Sequence, residues 1–168
     1  MAKKTIVLNS DAIELTMFAD EPRLKKQIMK IIKFVDRYSG ADLQKKIQMH
    51  SKTKIIKDML QLSAYNVYIS ALAGEYRGRH SVSKAYRDLE TKATWSKQKR
   101  AIEKRKEKTT DRSLDSYSMV KNKEKYFKES INDGKANVLS TLMFSIKDLV
   151  DSMKFVARSL ESQGNDNG

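Results

Sequence analysis

The sequence predicts an all-α fold: a helical bundle with a long basic helix and a C-terminal helix patterned in heptads. Three features point there. Among 168 residues there is one proline, Pro22, and six glycines, too few for the turns a strand-rich fold needs. Lys, Ala, Leu, Met and Glu, all favourable in helices, are abundant. Apolar residues recur at spacings of three and four through most of the chain. With 39% hydrophobic and 33% charged residues there is material for one modest core, which excludes a fully disordered chain.

Residues 1–9 give no firm pattern and read as a short strand or a tail. Ser10-Asp11 can cap a short helix reaching about Ala19. Asp20-Glu21-Pro22 is a stronger start, because proline suits the first helical turn, and Leu24, Ile28, Ile31, Ile32 and Val35 follow at helical spacing until Ser39-Gly40. Leu43 and Ile47 open another piece, which Ser51-Lys52-Thr53 interrupts. From Ile55 to Leu72 apolar residues wrap more than one face, which predicts a buried helix. Gly74 and Gly78 predict a turn.

Ser81 then caps a long helix to about Lys108, with Val82, Tyr86, Leu89 and Ala93 marking its early apolar face. Thr109 to Ser118 reads as a polar loop, Asn122 to Ile131 as a helix, and Asp133-Gly134 as a break. In the last helix Leu139, Leu142, Ile146, Leu149, Met153, Val156 and Leu160 form a heptad seam, widened by Met143, Val150 and Ala157. The stripe is wide, as in a helical bundle rather than a lone two-stranded coil. The organisation expected is therefore an N-terminal helical region over 1–75, a basic helix with an assembly helix over 76–163, and a polar tail over 164–168.

Charge is the strongest functional signal. The formal net charge is +13, and residues 76–128 hold 17 basic and 7 acidic side chains, against 4 and 6 in residues 129–168. A local positive excess of this kind attracts polyanions. Its densest stretch is Lys97, Lys99, Arg100, Lys104, Arg105, Lys106 and Lys108, diluted only by Glu103 and Glu107. Phosphates would neutralise that run and release counterions, which drives binding; the competing reading is a solvated helix with local ion pairs. Trp95, just before the run and off the Val82–Ala93 face, is a candidate to stack on a base, whereas Tyr76, Tyr86, Tyr117 and Tyr126 are expected to pack between helices. Arg77 and Arg79 flank Gly78 near the expected helix start, where outward amides suit a phosphate, although a plain basic turn explains them as well.

Residues 66–90 superficially match a helix-turn-helix with Ser81–Arg87 as its recognition helix. Placing the turn at Gly74 or Gly78, however, puts Glu75, Arg77, His80 or Lys84 where apolar side chains belong. Catalysis has no support. His50 and His80 lack metal-ligand spacing, cysteine is absent, and no phosphate-cradling glycine loop or serine elbow occurs, so no metal or cofactor is expected. No apolar run approaches a bilayer's thickness and the N-terminal apolar stretch is too short for a secretion signal, so the expectation is no membrane and a cytoplasmic site, the host cytoplasm if the chain is viral.

Over roughly residues 80–160 the chain resembles the UvsY-like recombination mediators of tailed phages. A basic helical part is followed by a polar break and a long C-terminal helix. Tyr117-Ser118-Met119 with Lys123-Glu124-Lys125, and Leu149-Val150-Asp151-Ser152-Met153-Lys154, are similar to stretches of that family. The resemblance implies a small homo-oligomeric accessory factor that binds single-stranded DNA and helps load a recombinase onto DNA covered by a single-strand-binding protein, in recombination or replication. It would make Lys97 to Lys108 the strand-binding element and the heptad helix the assembly element. Two rival readings are a small-terminase-like oligomer that packages duplex DNA, and an adaptor or inhibitor that docks on an acidic protein. In a third, the seam is satisfied within one chain and the charge serves only solubility.

Overall fold

The structure is a computed structural model and describes residues 15–39 and 42–165, with side-chain surroundings described as far as Ser159. It is all-helical, with no strand among the described residues. A turn of 3-10 helix, Leu15–Phe18, precedes α1 (Pro22–Asp36), α2 (Leu43–Gln48), α3 (Lys52–Lys104), α4 (Asp111–Lys121) and α5 (Lys123–Asn165). The expected features of residues 1–9, the Ser10-Asp11 cap and the end of the tail lie outside the described residues. The chain divides into two compact units, Met1–Ala73 with Asn137–Gly168, and Gly74–Ala136. The C-terminal two thirds of α5 therefore group with the N-terminal region and not with the basic run at the end of α3, unlike the division expected from sequence.

The first unit is an apolar bundle. Pro22 occupies the first turn of α1, which buries Ile28, Ile31, Ile32 and Val35. Glu21, rather than Asp20, is the cap residue, and its side chain makes no capping hydrogen bond. The helix ends at Asp36, and the Ser39 carbonyl accepts from Lys46 Nζ at 2.8 Å, which ties α2 back to the end of α1. Tyr38 is buried and donates to Asp58; burial and that carboxylate push its hydroxyl up to about 12, so it stays a donor across the neutral range. Phe34 meets Tyr65 edge-on at 5.6 Å, and Tyr68 donates to Gln27 at 2.5 Å.

In this unit α3 contributes Ile55, Leu62 and Ile69, one residue in seven, to the core. Ile56, Leu60 and Val67 are exposed, so the stretch buries one face and not several. The seam of α5 closes the same core: Leu139, Leu142, Ile146 and Met153 are fully buried and Leu149 nearly so. The expected intersubunit seam is thus filled within one chain at these positions, because apolar faces of α1 and α3 are present to cover it. Val156 is half-buried, and Leu160 lies outside the residues whose side chains are described.

The second unit departs from the sequence expectation in three places. Helix α3 runs through Gly74 and Gly78 without a turn, and α5 runs through Asp133-Gly134 without a break. Residues expected to form a loop make α4, which Thr110 caps by accepting from the Ser113 amide at 3.3 Å and which buries Leu114 and Ser118. A helix tolerates isolated glycines at roughly 1 kcal/mol each when its neighbours are held by packing, and here they are. Ala73 and Tyr76 on α3, with Asn132, Lys135 and Ala136 on α5, are buried.

The face that α3 turns inward in this unit is polar. Lys135 lies over the Tyr76 ring at 5.3 Å, and His80 faces Asp133 at 3.9 Å. Asn132 donates to Ser83 at 3.0 Å. Arg87 pairs with Glu129 at 2.5 Å, Lys125 with Glu90 at 2.8 Å, and Asn122 donates to Thr94 at 3.1 Å. As the α3 number rises the α5 number falls, so the two helices run antiparallel. The seven-residue series Ile55, Leu62, Ile69 continues as Tyr76, Ser83 and Glu90, which fixes the inward face. Val82, Tyr86 and Leu89, expected to face a core, therefore lie outside and are 54–70% exposed. A helix can turn only one face to its partner, and the inward polar groups named here are paired across it except the His80 Nδ1, which is buried without a hydrogen bond and stands 3.9 Å from Asp133.

Trp95, the one tryptophan of the chain, belongs to this unit and reports on it alone. Lys125 holds the Glu90 carboxyl below the usual carboxylate range, and Glu90 holds Lys125 above the usual lysine range. The stability this pair gives is present above the carboxylate's unfolded value of about 4.3 and is lost as pH falls through its lower folded value; it is also lost as pH rises past about 10.4 through the raised lysine value. Acidification below about pH 4 should therefore shift Trp95 emission before the far-UV circular dichroism of the whole chain changes. Simultaneous loss of both signals would show that the polar seam is not the weaker of the two.

Candidate nucleic-acid interface

The second unit carries most of the chain's positive excess, with 18 basic and 10 acidic side chains over residues 74–136. These cations divide into two groups. Arg87 and Lys125 are held in the polar seam, and Asp88 also binds Arg87 at 2.7 Å. The Asp88 hydrogen bond and the neighbouring Glu129 raise the Arg87 pKa further, so its charge is fixed. Arg79 pairs with Glu75 at 2.6 Å and lies 4.9 Å from the Tyr76 ring centre.

The second group lies at the end of α3 and in the turn that follows. Lys97, Arg100, Lys104, Lys106 and Lys108 are exposed, and no carboxylate pairs with them among the described residues. Of the two acidic residues in the run, Glu107 meets Arg105 at 3.6 Å and both are more than half exposed, a pair of little energetic weight. Lys97, Arg100 and Lys104 recur on one face of α3. With Ala93, Ser96 and Ala101 as a small-residue floor, they line an open groove of about 500 Å³. Trp95 is half-buried off this face, with the Lys99 ammonium 4.8 Å from its ring centre. The Lys99 ammonium therefore covers one face of the ring.

The helix ends in a tight reversal. The Lys106 amide donates to the Glu103 carbonyl at 3.0 Å and the Glu107 amide to the Ile102 carbonyl at 3.2 Å, the paired bonds that close a helix through a left-handed residue. That residue is Lys106, with φ of 56°, where glycine is the usual occupant. A lysine at this position costs about 1 kcal/mol in backbone strain. Lys106→Gly should raise the unfolding free energy in urea by about that amount. No gain would mean that the Lys106 side chain stabilises the turn in compensation.

The structure corrects the expectation for Arg77 and Arg79. They lie within an unbroken helix, where backbone amides bond within the helix and no helix start faces a phosphate. The same continuity removes the helix-turn-helix at 66–90, since no turn separates the two helices it needs. Sequence reasoning missed the polar seam altogether, and with it the division of cations into paired and unpaired. No group of three or more His, Asp or Glu that could hold a metal occurs among the described residues, and no helix among them is long and apolar enough to cross a membrane.

Comparison with family models, with curated proteins and with solved structures finds no match to this chain.

Proposed function

We propose that this chain binds a nucleic-acid backbone, single-stranded DNA before duplex, through the end of α3 and the turn after it. The observation that carries this reading is the set of exposed cations without carboxylate partners at 97–108, beside a half-exposed tryptophan. Lys97, Lys99, Arg100, Lys104, Arg105, Lys106 and Lys108 contact phosphates, and Trp95 stacks on a base. Stacking needs unpaired bases, which favours a single strand. The chain acts as an accessory factor in recombination or replication. The resemblance to the UvsY-like mediators supports this and extends it to loading a recombinase, with a single-strand-binding protein as a further partner.

Trp95 supplies the test. Added oligothymidine should quench its emission, duplex of the same length should displace the strand poorly, and RNA measures the preference for the sugar. Equal competition by duplex would remove the stacking role and favour a backbone contact blind to strand number.

A further inference from the structure

We propose that the groove at the end of α3 also receives the outer face of α5 from a second copy of the chain, so that copies of the chain associate. Opposite its buried seam, α5 presents Phe144, Asp148, Asp151 and Phe155 in one row, at successive spacings of four, three and four. Phe144 and Phe155 are 56% and 72% exposed, and both aspartates are exposed. Asp148 has no cation partner among the described residues, and Asp151 holds only the exposed Lys154 at 3.2 Å. The groove of α3 runs Ala93, Lys97, Arg100, Lys104, again at four, three and four.

The two rows match whichever way one is turned. In either direction the two carboxylates stand against Lys97 and Arg100. One phenylalanine lies on the Ala93 floor and the other against the Lys104 stem. Each row alone is poorly disposed to solvent: two large rings are exposed on one, and neighbouring cations repel along the other. Together they bury the rings and neutralise the charges, which is the complementarity an interface needs. Because the two rows differ, each copy offers both halves of the contact, so the pairing closes as a two-fold dimer when both are met by one partner and builds a ring or a chain when they are met by two. This inference does not rest on nucleic-acid binding, although it makes a polyanion and a second copy competitors for Lys97 and Arg100.

Sedimentation velocity in low salt and without nucleic acid tests it. The native chain should associate with rising concentration, and added salt should weaken the association. Asp148→Lys with Asp151→Lys should weaken it by about tenfold or more, as should Lys97→Glu with Arg100→Glu. All four changes in one chain should restore it, since the reversed charges again face each other; this recovery also excludes misfolding as the cause of the losses. A native chain that stays monomeric, or a fourfold variant that does not recover, overturns the proposal. The Asp148→Lys, Asp151→Lys chain retains the whole basic run and should still bind oligothymidine. Failure of that binding counts against the proposed function and not against this contact.

Discussion

Ile146→Asp should unfold the first unit. Ile146 is fully buried among the α5 seam residues, with Leu142 one turn before it and Leu149 and Met153 after it. An aspartate there has no cation partner in an apolar core, and burying a lone charge or opening the core to hydrate it costs more than about 4 kcal/mol. Against a domain stability of about 5–15 kcal/mol, that removes much of the fold. Thermal and urea unfolding should show the collapse as a loss of helical circular dichroism. Phe144→Asp, two residues earlier on the exposed face, should change stability in dilute solution by less than about 0.5 kcal/mol. If the two variants behaved alike, the assignment of buried and exposed faces on α5 would be wrong.

The second large effect concerns binding. Changing Lys104, Arg105 and Lys106 together to alanine should weaken attachment to single-stranded DNA of every sequence. Three lost phosphate contacts should lower the slope of log affinity against log salt by about 2. The contrast is Arg79→Ala. Arg79 is engaged with Glu75 and Tyr76, so its loss should leave that slope nearly unchanged. An unchanged slope in the triple variant would remove the α3 turn from the contact.

The fold class was legible because apolar spacing and the scarcity of Gly and Pro both argue for helices, and the structure bears out an all-α architecture. Pro22 marked the start of α1, whereas the interruption expected at Ser51-Lys52-Thr53 falls at residues 49–51, with Lys52 and Thr53 already in α3. Misreadings arose where a local signal met a longer-range one. Gly74, Gly78 and Asp133-Gly134 are turn signals in isolation, but the seam between α3 and α5 runs across them and holds the helix. Thr109 to Ser118 looked like a loop because it is polar, although Leu114 and Ser118, four residues apart, are enough to seat α4.

The outward position of Val82, Tyr86 and Leu89 could not be read from apolar periodicity, because their helix packs through polar groups. Only projecting the seven-residue interval from Ile55, Leu62 and Ile69 onto Tyr76, Ser83 and Glu90 would have found the inward face. The basic run of the candidate site was visible as charge. Which cations were already engaged was not, since Arg87 meets Glu129 and Lys125 meets Glu90 across 42 and 35 positions of sequence.

The central claim is that the cations left over from these pairings meet phosphates. The most direct measurement is the equilibrium affinity of the native chain for a single-stranded oligonucleotide over a range of salt concentrations, with duplex DNA and RNA in parallel. The claim predicts binding in dilute buffer, a linear fall of log affinity with log salt, and a slope corresponding to about five or more phosphates. Absence of binding to all three, even at the lowest salt, would contradict it.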